Sequence, residues 1–234
     1  MRLLLTRPLV ESEALAEVLK ERGLDTCISP VMEIVPQTLE LPPNAPFQAV
    51  LLTSGNAVDA LSQAGLRPDI PILCVGDATA RRLAGSAFAD VRSAAGDSGD
   101  LVALAIRDLA PEDGPLLYLS GMVIAADIAS ALSQAGFTVD RRVAYRARAI
   151  PAADEAAVAD LAAGNIDGVL LYSPRSARIF VDHLRQANLE LIAREMTAYC
   201  ISDATAEAAG AVAWRKLAVA ARPNQHDLLA LLSN

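Results

Sequence analysis

The chain is written twice, and that repetition constrains its fold more than any other feature. Val50-Leu51-Leu52-Thr53-Ser54-Gly55-Asn56-Ala57-Val58 returns as Val169-Leu170-Leu171-Tyr172-Ser173-Pro174-Arg175-Ser176-Ala177. Asp77-Ala78-Thr79-Ala80 returns as Asp203-Ala204-Thr205-Ala206, and Asp100-Leu101-Val102-Ala103-Leu104 as Asp227-Leu228-Leu229-Ala230-Leu231. The opening stretch through Leu19 and Gly23 matches Leu132 and Gly136. The offsets are 119, 126, 127 and 113 residues, so the copies differ only by loop-sized insertions. A duplicated half-length unit predicts two similar lobes, and two lobes predict a cleft.

Within each copy, short apolar runs alternate with helical spacing. Leu3-Leu4-Leu5 leads to Leu15 and Leu19, Val50-Leu51-Leu52 to Val58 and Leu61, and Ile72-Leu73-Cys74-Val75 to the segment 80–85. The series restarts at Leu116-Leu117-Tyr118-Leu119. This rhythm specifies βα units on parallel sheets, hence an α/β fold. Two proline-bounded extended stretches, 30–36 and 142–151, interrupt it at equivalent places in the copies. They read either as ordinary edge strands or as two crossings of one two-stranded hinge.

Composition removes several function classes. The 234 residues carry a net charge of −8, and no basic tract suits nucleic acid. No apolar run approaches the roughly 20 residues of a membrane span, and the N-terminus lacks a signal peptide's apolar core, so a cytoplasmic protein is expected. Cys27, Cys74 and Cys200 are isolated in apolar runs and read as buried reduced thiols. His183 and His226 form no ligand pattern, so no metal site is expected. There is no Gly-x-Ser-x-Gly, no P-loop and no dinucleotide fingerprint.

Each βα junction carries hydroxyl or Asx residues: Thr6, Thr53-Ser54, Asp77, Asp97-Ser98, Ser120, Ser173, Ser202-Asp203 and Asn224. In an open parallel sheet these turns gather at the carboxyl edge, where ligands bind. Helix N-termini there suit anions. Taken singly, each residue reads first as a helix cap, and Asp77 and Asp203 in particular look like caps. Their recurrence in both copies favours a ligand face. Of the 20 cationic residues only Lys20 and Lys216 are lysines, and arginine is the better carboxylate ligand.

The chain resembles the uroporphyrinogen-III synthase family along essentially its whole length. The resemblance is carried by Thr6-Arg7-Pro8, the Pro30 strand with Ile34, Leu52 to Val58, and Val75-Gly76-Asp77-Ala78-Thr79-Ala80. It continues through Val143-Ala144-Tyr145-Arg146, Tyr172-Ser173-Pro174 and Asp203 to Ala206. It implies two α/β lobes joined by a two-stranded hinge, with lobe one, residues 1–36 and 150–234, discontinuous and lobe two covering 37–149. It also implies a cyclisation: hydroxymethylbilane closes with inversion of the last pyrrole ring and loss of water, serving haem, sirohaem or cobalamin biosynthesis. No cofactor or metal is implied. The expected protein is a monomer whose substrate could pass to it from the preceding deaminase.

Carried over residue by residue, the resemblance makes Tyr145 the donor that assists departure of the hydroxyl; the rival is a packing tyrosine. Thr53, Ser54 and Thr79, with Ser173 and Thr205 from the other copy, are implied to bind substrate carboxylates, with capping as the rival. Arg7 and Arg146 are implied as local cations, against a merely solvated role. One departure stands out. The family usually places an arginine four residues after the glycine of the second copy's first junction, whereas Ser120-Gly121-Met122-Val123-Ile124 leads here to Ala125. That loss favours a competing reading, a non-catalytic two-lobed binder of a tetrapyrrole or another polyanion. A sugar- or nucleotide-binding module is a third reading, without the phosphate loops it needs.

Overall fold

The computed structural model describes every residue except 43–45, 125 and 234, and the side chain of 233. The chain opens with β1 (Arg2–Leu5), α1 (Leu9–Glu21), β2 (Asp25–Ile28) and β3 (Met32–Pro36). It continues through β4 (Ala49–Leu52), α2 (Val58–Ser62), β5 (Ile72–Cys74), α3 (Asp77–Arg82), β6 (Val91–Ser93) and α4 (Ser98–Asp108). The second copy begins with β7 (Leu116–Gly121), α5 (Ile128–Gln134) and the long β8 (Val139–Ala149). It ends with α6 (Glu155–Ala162), β9 (Gly168–Leu171), α7 (Pro174–Gln186), β10 (Thr197–Cys200), α8 (Asp203–Ala209), β11 (Lys216–Val219) and α9 (Gln225–Ala230). No helix among the described residues is long and apolar enough to cross a membrane.

The strands form two sheets, one ordered β11-β10-β9-β1-β2 and the other β3-β8-β7-β4-β5-β6. The chain divides into two compact units, Met1–Glu33 with Arg148–Asn234, and Ile34–Ala147. Each unit therefore draws its first βαβ segment from one copy and the remainder from the other. The chain crosses between units twice, at 33–34 and 147–148, within β3 and β8, which are neighbours in the six-stranded sheet.

Parallel strands need cover on both faces, and the side-chain alternation provides it. In the first unit Leu3, Leu5, Leu170 and Tyr199 pack with Leu15, Leu19 and Leu228 on one face. Leu4, Val169, Leu171, Ala198 and Cys200 pack with Phe180 and Leu184 on the other. The second unit repeats the scheme, with Val50, Leu52, Ile72, Leu117 and Leu119 facing one way and Ala49, Leu51, Leu73 and Tyr118 the other. Each such leucine, fully removed from water, contributes about 2–3 kcal/mol before entropy is counted. Gly23 and Gly136, equivalent in the two copies, end α1 and α5 at φ +71° and +93°. Only glycine takes that left-handed turn without strain, which is why the copies share it.

The three cysteines are free, with Cys74 and Cys200 buried and Cys27 half-buried. Burial pushes the Cys74 thiol up to about 11 and Cys200 to about 12. Burial also raises Cys27, helped by the nearby Asp160 carboxylate. Because the thiolate is the reactive form, native protein at pH 8 is expected to react slowly with a charged thiol reagent, and through Cys27 alone. All three thiols should react after unfolding. Rapid native modification of three equivalents would contradict this packing.

Candidate functional site

A ligand site in an open α/β sheet is set by topology. In chain order the first unit's sheet reads 2-1-3-4-5, a doubly wound arrangement whose helices diverge at one point. There β1 lies beside β9, with Leu3 opposite Gly168 and Leu5 opposite Leu170. The second unit has the equivalent point where β7 lies beside β4, with Leu116 opposite Ala49 and Leu119 opposite Leu52. The carboxyl ends at such points open the crevice in which ligands bind.

In the first unit, Arg7 follows β1 and Tyr172 follows β9, so the two meet at that point. The Arg7 guanidinium stacks 4.6 Å above the Tyr172 ring. Its Nη1 donates to Gln225 Oε1 at 3.1 Å, and the Tyr172 hydroxyl donates to the same oxygen at 3.4 Å. Burial raises the Tyr172 phenol above its ordinary value, and Arg7 offsets part of that rise. Ser173 caps α7 by accepting the Ser176 N–H at 3.0 Å. Ser202 caps α8, its hydroxyl 3.0 Å from that of Thr205. Thr205 is wholly buried, so it faces into its own junction.

In the second unit, Ser54 follows β4 and caps a short turn, accepting the Asn56 N–H at 3.2 Å. The Thr53 hydroxyl lies 3.4 Å from that of Tyr118. Thr79, in the first turn of α3, is buried. Tyr145 lies on β8, where the register shifts: Ser120 pairs with Val143 but Gly121 with Tyr145. This bulge turns Ala144 and Tyr145 toward the same core, against Leu117 and Leu119. Bulges re-aim side chains in this way. The phenol then lies directly over Gly121, where an added Cβ would come within 3.0 Å of the Tyr145 hydroxyl. Arg146, the next residue, is exposed and has no ion pair among the described residues.

The structure thus places Arg7 and Ser173 at the first unit's divergence point, and Thr53, Ser54 and Tyr145 at the second unit's. Thr79 and Thr205 lie behind their junctions, on the buried side. Asp77 and Asp203 are not caps. Gly76 and Ser202 hold those positions, and each aspartate occupies the first helical residue, where its charge still suits the helix dipole. Ala125, where the family arginine is absent, lies outside the described residues. Sequence reasoning missed Gln225, which follows a cap residue and carries no pattern of its own. It also missed Arg141, whose contacts come from the strand next door.

A model of the family described as Uroporphyrinogen-III synthase HemD matches residues 13–230. The chain belongs to the uroporphyrinogen-III synthase family. That family consists of enzymes of tetrapyrrole biosynthesis. Among solved structures, the uroporphyrinogen-III synthetase of Helicobacter pylori aligns over 100% of this chain and 99% of its own, with 19% identity and a TM-score of 0.60. Two uroporphyrinogen-III synthase structures from Thermus thermophilus align over 100% of this chain and 95% and 97% of theirs, with 19% and 18% identity and TM-scores of 0.40 and 0.47. The first of these likenesses shows the shared two-unit α/β fold. A comparison with curated protein sequences gives no match.

Proposed function

We propose that this chain is a working uroporphyrinogen-III synthase, a cyclising lyase that closes hydroxymethylbilane to uroporphyrinogen III. The family match over residues 13–230 carries the reading. The Tyr145 phenol, set over the Gly121 backbone at a divergence point, supports it. In the proposed reaction the carbon–oxygen bond of the terminal hydroxymethyl breaks, and the oxygen leaves as water with a donated proton. The substituted carbon of the last ring attacks the azafulvene left behind, giving a spiro intermediate. The older bond from that carbon to its neighbouring methylene then breaks, and the freed methylene joins the ring's unsubstituted carbon, which loses its proton, so the macrocycle closes with that ring inverted. The Tyr145 hydroxyl donates the hydrogen bond that eases hydroxyl departure.

Binding has to hold many carboxylates on an acidic protein. Arg7 and Arg146 serve as local cations, and the hydroxyls of Thr53, Ser54 and Ser173 as donors. The buried Thr79 and Thr205 shape the junctions from behind. Uncatalysed closure gives the type I isomer, so the catalytic contribution is one of orientation. We assign the reaction to a cytoplasmic monomer that needs no cofactor and receives its substrate from the preceding deaminase. Purified protein supplied with freshly generated hydroxymethylbilane is expected to yield type III isomer after oxidation. A product that is type I alone would overturn the enzyme reading and leave a binder.

A further inference from the structure

The register of the two sheets gives an equivalence that the repeat alone leaves loose. Leu3 pairs with Gly168 just as Leu116 pairs with Ala49. Arg7 therefore corresponds to Ser120, Leu9 to Met122 and Val10 to Val123. The first unit has a cation at this position, and the second has a serine. Ser120 is buried, yet its hydroxyl accepts from Arg141 Nε at 2.8 Å. Arg141 Nη2 donates to the carbonyls of Gly121 at 3.0 Å and Met122 at 3.3 Å. A neighbouring strand thus brings a guanidinium to Ser120, the residue that corresponds to Arg7 in the other unit.

The apolar neighbours repeat as well. Leu9 and Val10 are 54% and 52% exposed, and Met122 and Val123 are 56% and 81% exposed. Two adjacent apolar side chains left in water at the same position of both copies are not explained by packing. They suit a ligand that brings its own apolar surface, such as a pyrrole ring.

We infer that Arg141, seated on Ser120, and the pair Met122–Val123 form a subsite for one carboxylate-bearing pyrrole ring of the substrate. The inference rests on the proposed function. Three protein acceptors hold the Arg141 fork, so little side-chain freedom is lost when a carboxylate arrives. Among the described residues both Nη1–H groups remain without a hydrogen-bond partner, and they take the carboxylate in a charge-assisted bond. The ring then lies on Met122 and Val123.

Steady-state kinetics of Arg141→Gln and Arg141→Lys, with product isomers resolved, test the subsite. Arg141→Gln is expected to raise KM about tenfold or more while kcat falls by less than about threefold. Arg141→Lys should recover part of the KM, because charge returns although the fork does not. If Arg141 only orders the junction, lysine cannot rebuild its three bonds, and both variants will show the same KM. Val123→Ser, at a position already in water, should raise KM about fivefold without loss of thermal stability. Wild-type protein making only type I isomer would overturn the proposed function. Wild-type protein making type III, with KM unmoved in Arg141→Gln, would overturn the subsite alone.

Discussion

Replacing Tyr145 with phenylalanine should lower kcat about 10²-fold under single-turnover conditions, the lower end of what a positioned proton donor contributes. The substitution removes one oxygen and leaves the ring packed against Leu117 and Leu119. Thermal stability should therefore change little, and the loss should fall on kcat. A second variant separates chemistry from packing. In Gly121→Ala the added methyl would lie 2.9 Å from the ring carbon that bears the hydroxyl, so the phenol has to shift while remaining present. If placement matters, kcat falls in this variant too. Unchanged kcat in Tyr145→Phe would reduce Tyr145 to a packing residue and return the donor role to another group.

Phe180→Ala should cost the first unit about 3–5 kcal/mol, the usual range for emptying a buried aromatic site. Phe180 is buried on α7 among Leu4, Val169 and Leu184, and it stacks on Trp214 with ring centroids 6.3 Å apart. The Trp214 Nε1–H is held by the Ala209 carbonyl at 2.8 Å, so the indole cannot swing in to fill the space. That is a large share of the roughly 5–15 kcal/mol that stabilises an ordinary domain. Trp214 is the chain's one tryptophan, and its fluorescence in a urea titration reports the unit directly. A loss below about 1 kcal/mol would show that the neighbouring helices collapse into the gap.

Much of the architecture was readable because it depends on local periodicity. Runs such as Leu3-Leu4-Leu5 and Val50-Leu51-Leu52 are short and apolar on both faces, and their alternation with helical segments marks them as buried parallel strands. Gly23 and Gly136 marked equivalent helix ends because no other residue takes their backbone angles without strain. The junction hydroxyls were readable as a set, although they do not all perform the same task. Ser54, Ser173 and Ser202 cap turns, whereas Thr6 donates to the Leu170 carbonyl and Ser120 accepts from Arg141. A hydroxyl's spacing from a strand does not reveal which way it points. Thr79 and Thr205 show this, since both occur in the repeated motif and both turn inward.

The sequence by itself determined the duplication, the parallel α/β class, the family and the hydroxyl-bearing junctions after the strands. Each of these depends on residue types at fixed short separations. The tertiary structure decided which groups meet. It set Arg7 over Tyr172 through strand order, placed the Tyr145 phenol over Gly121 through a one-residue bulge, and seated Arg141 on Ser120 across a strand pair. These contacts join residues from separate strands, and register and bulges fix them. A one-residue change in either sends a side chain to the opposite face.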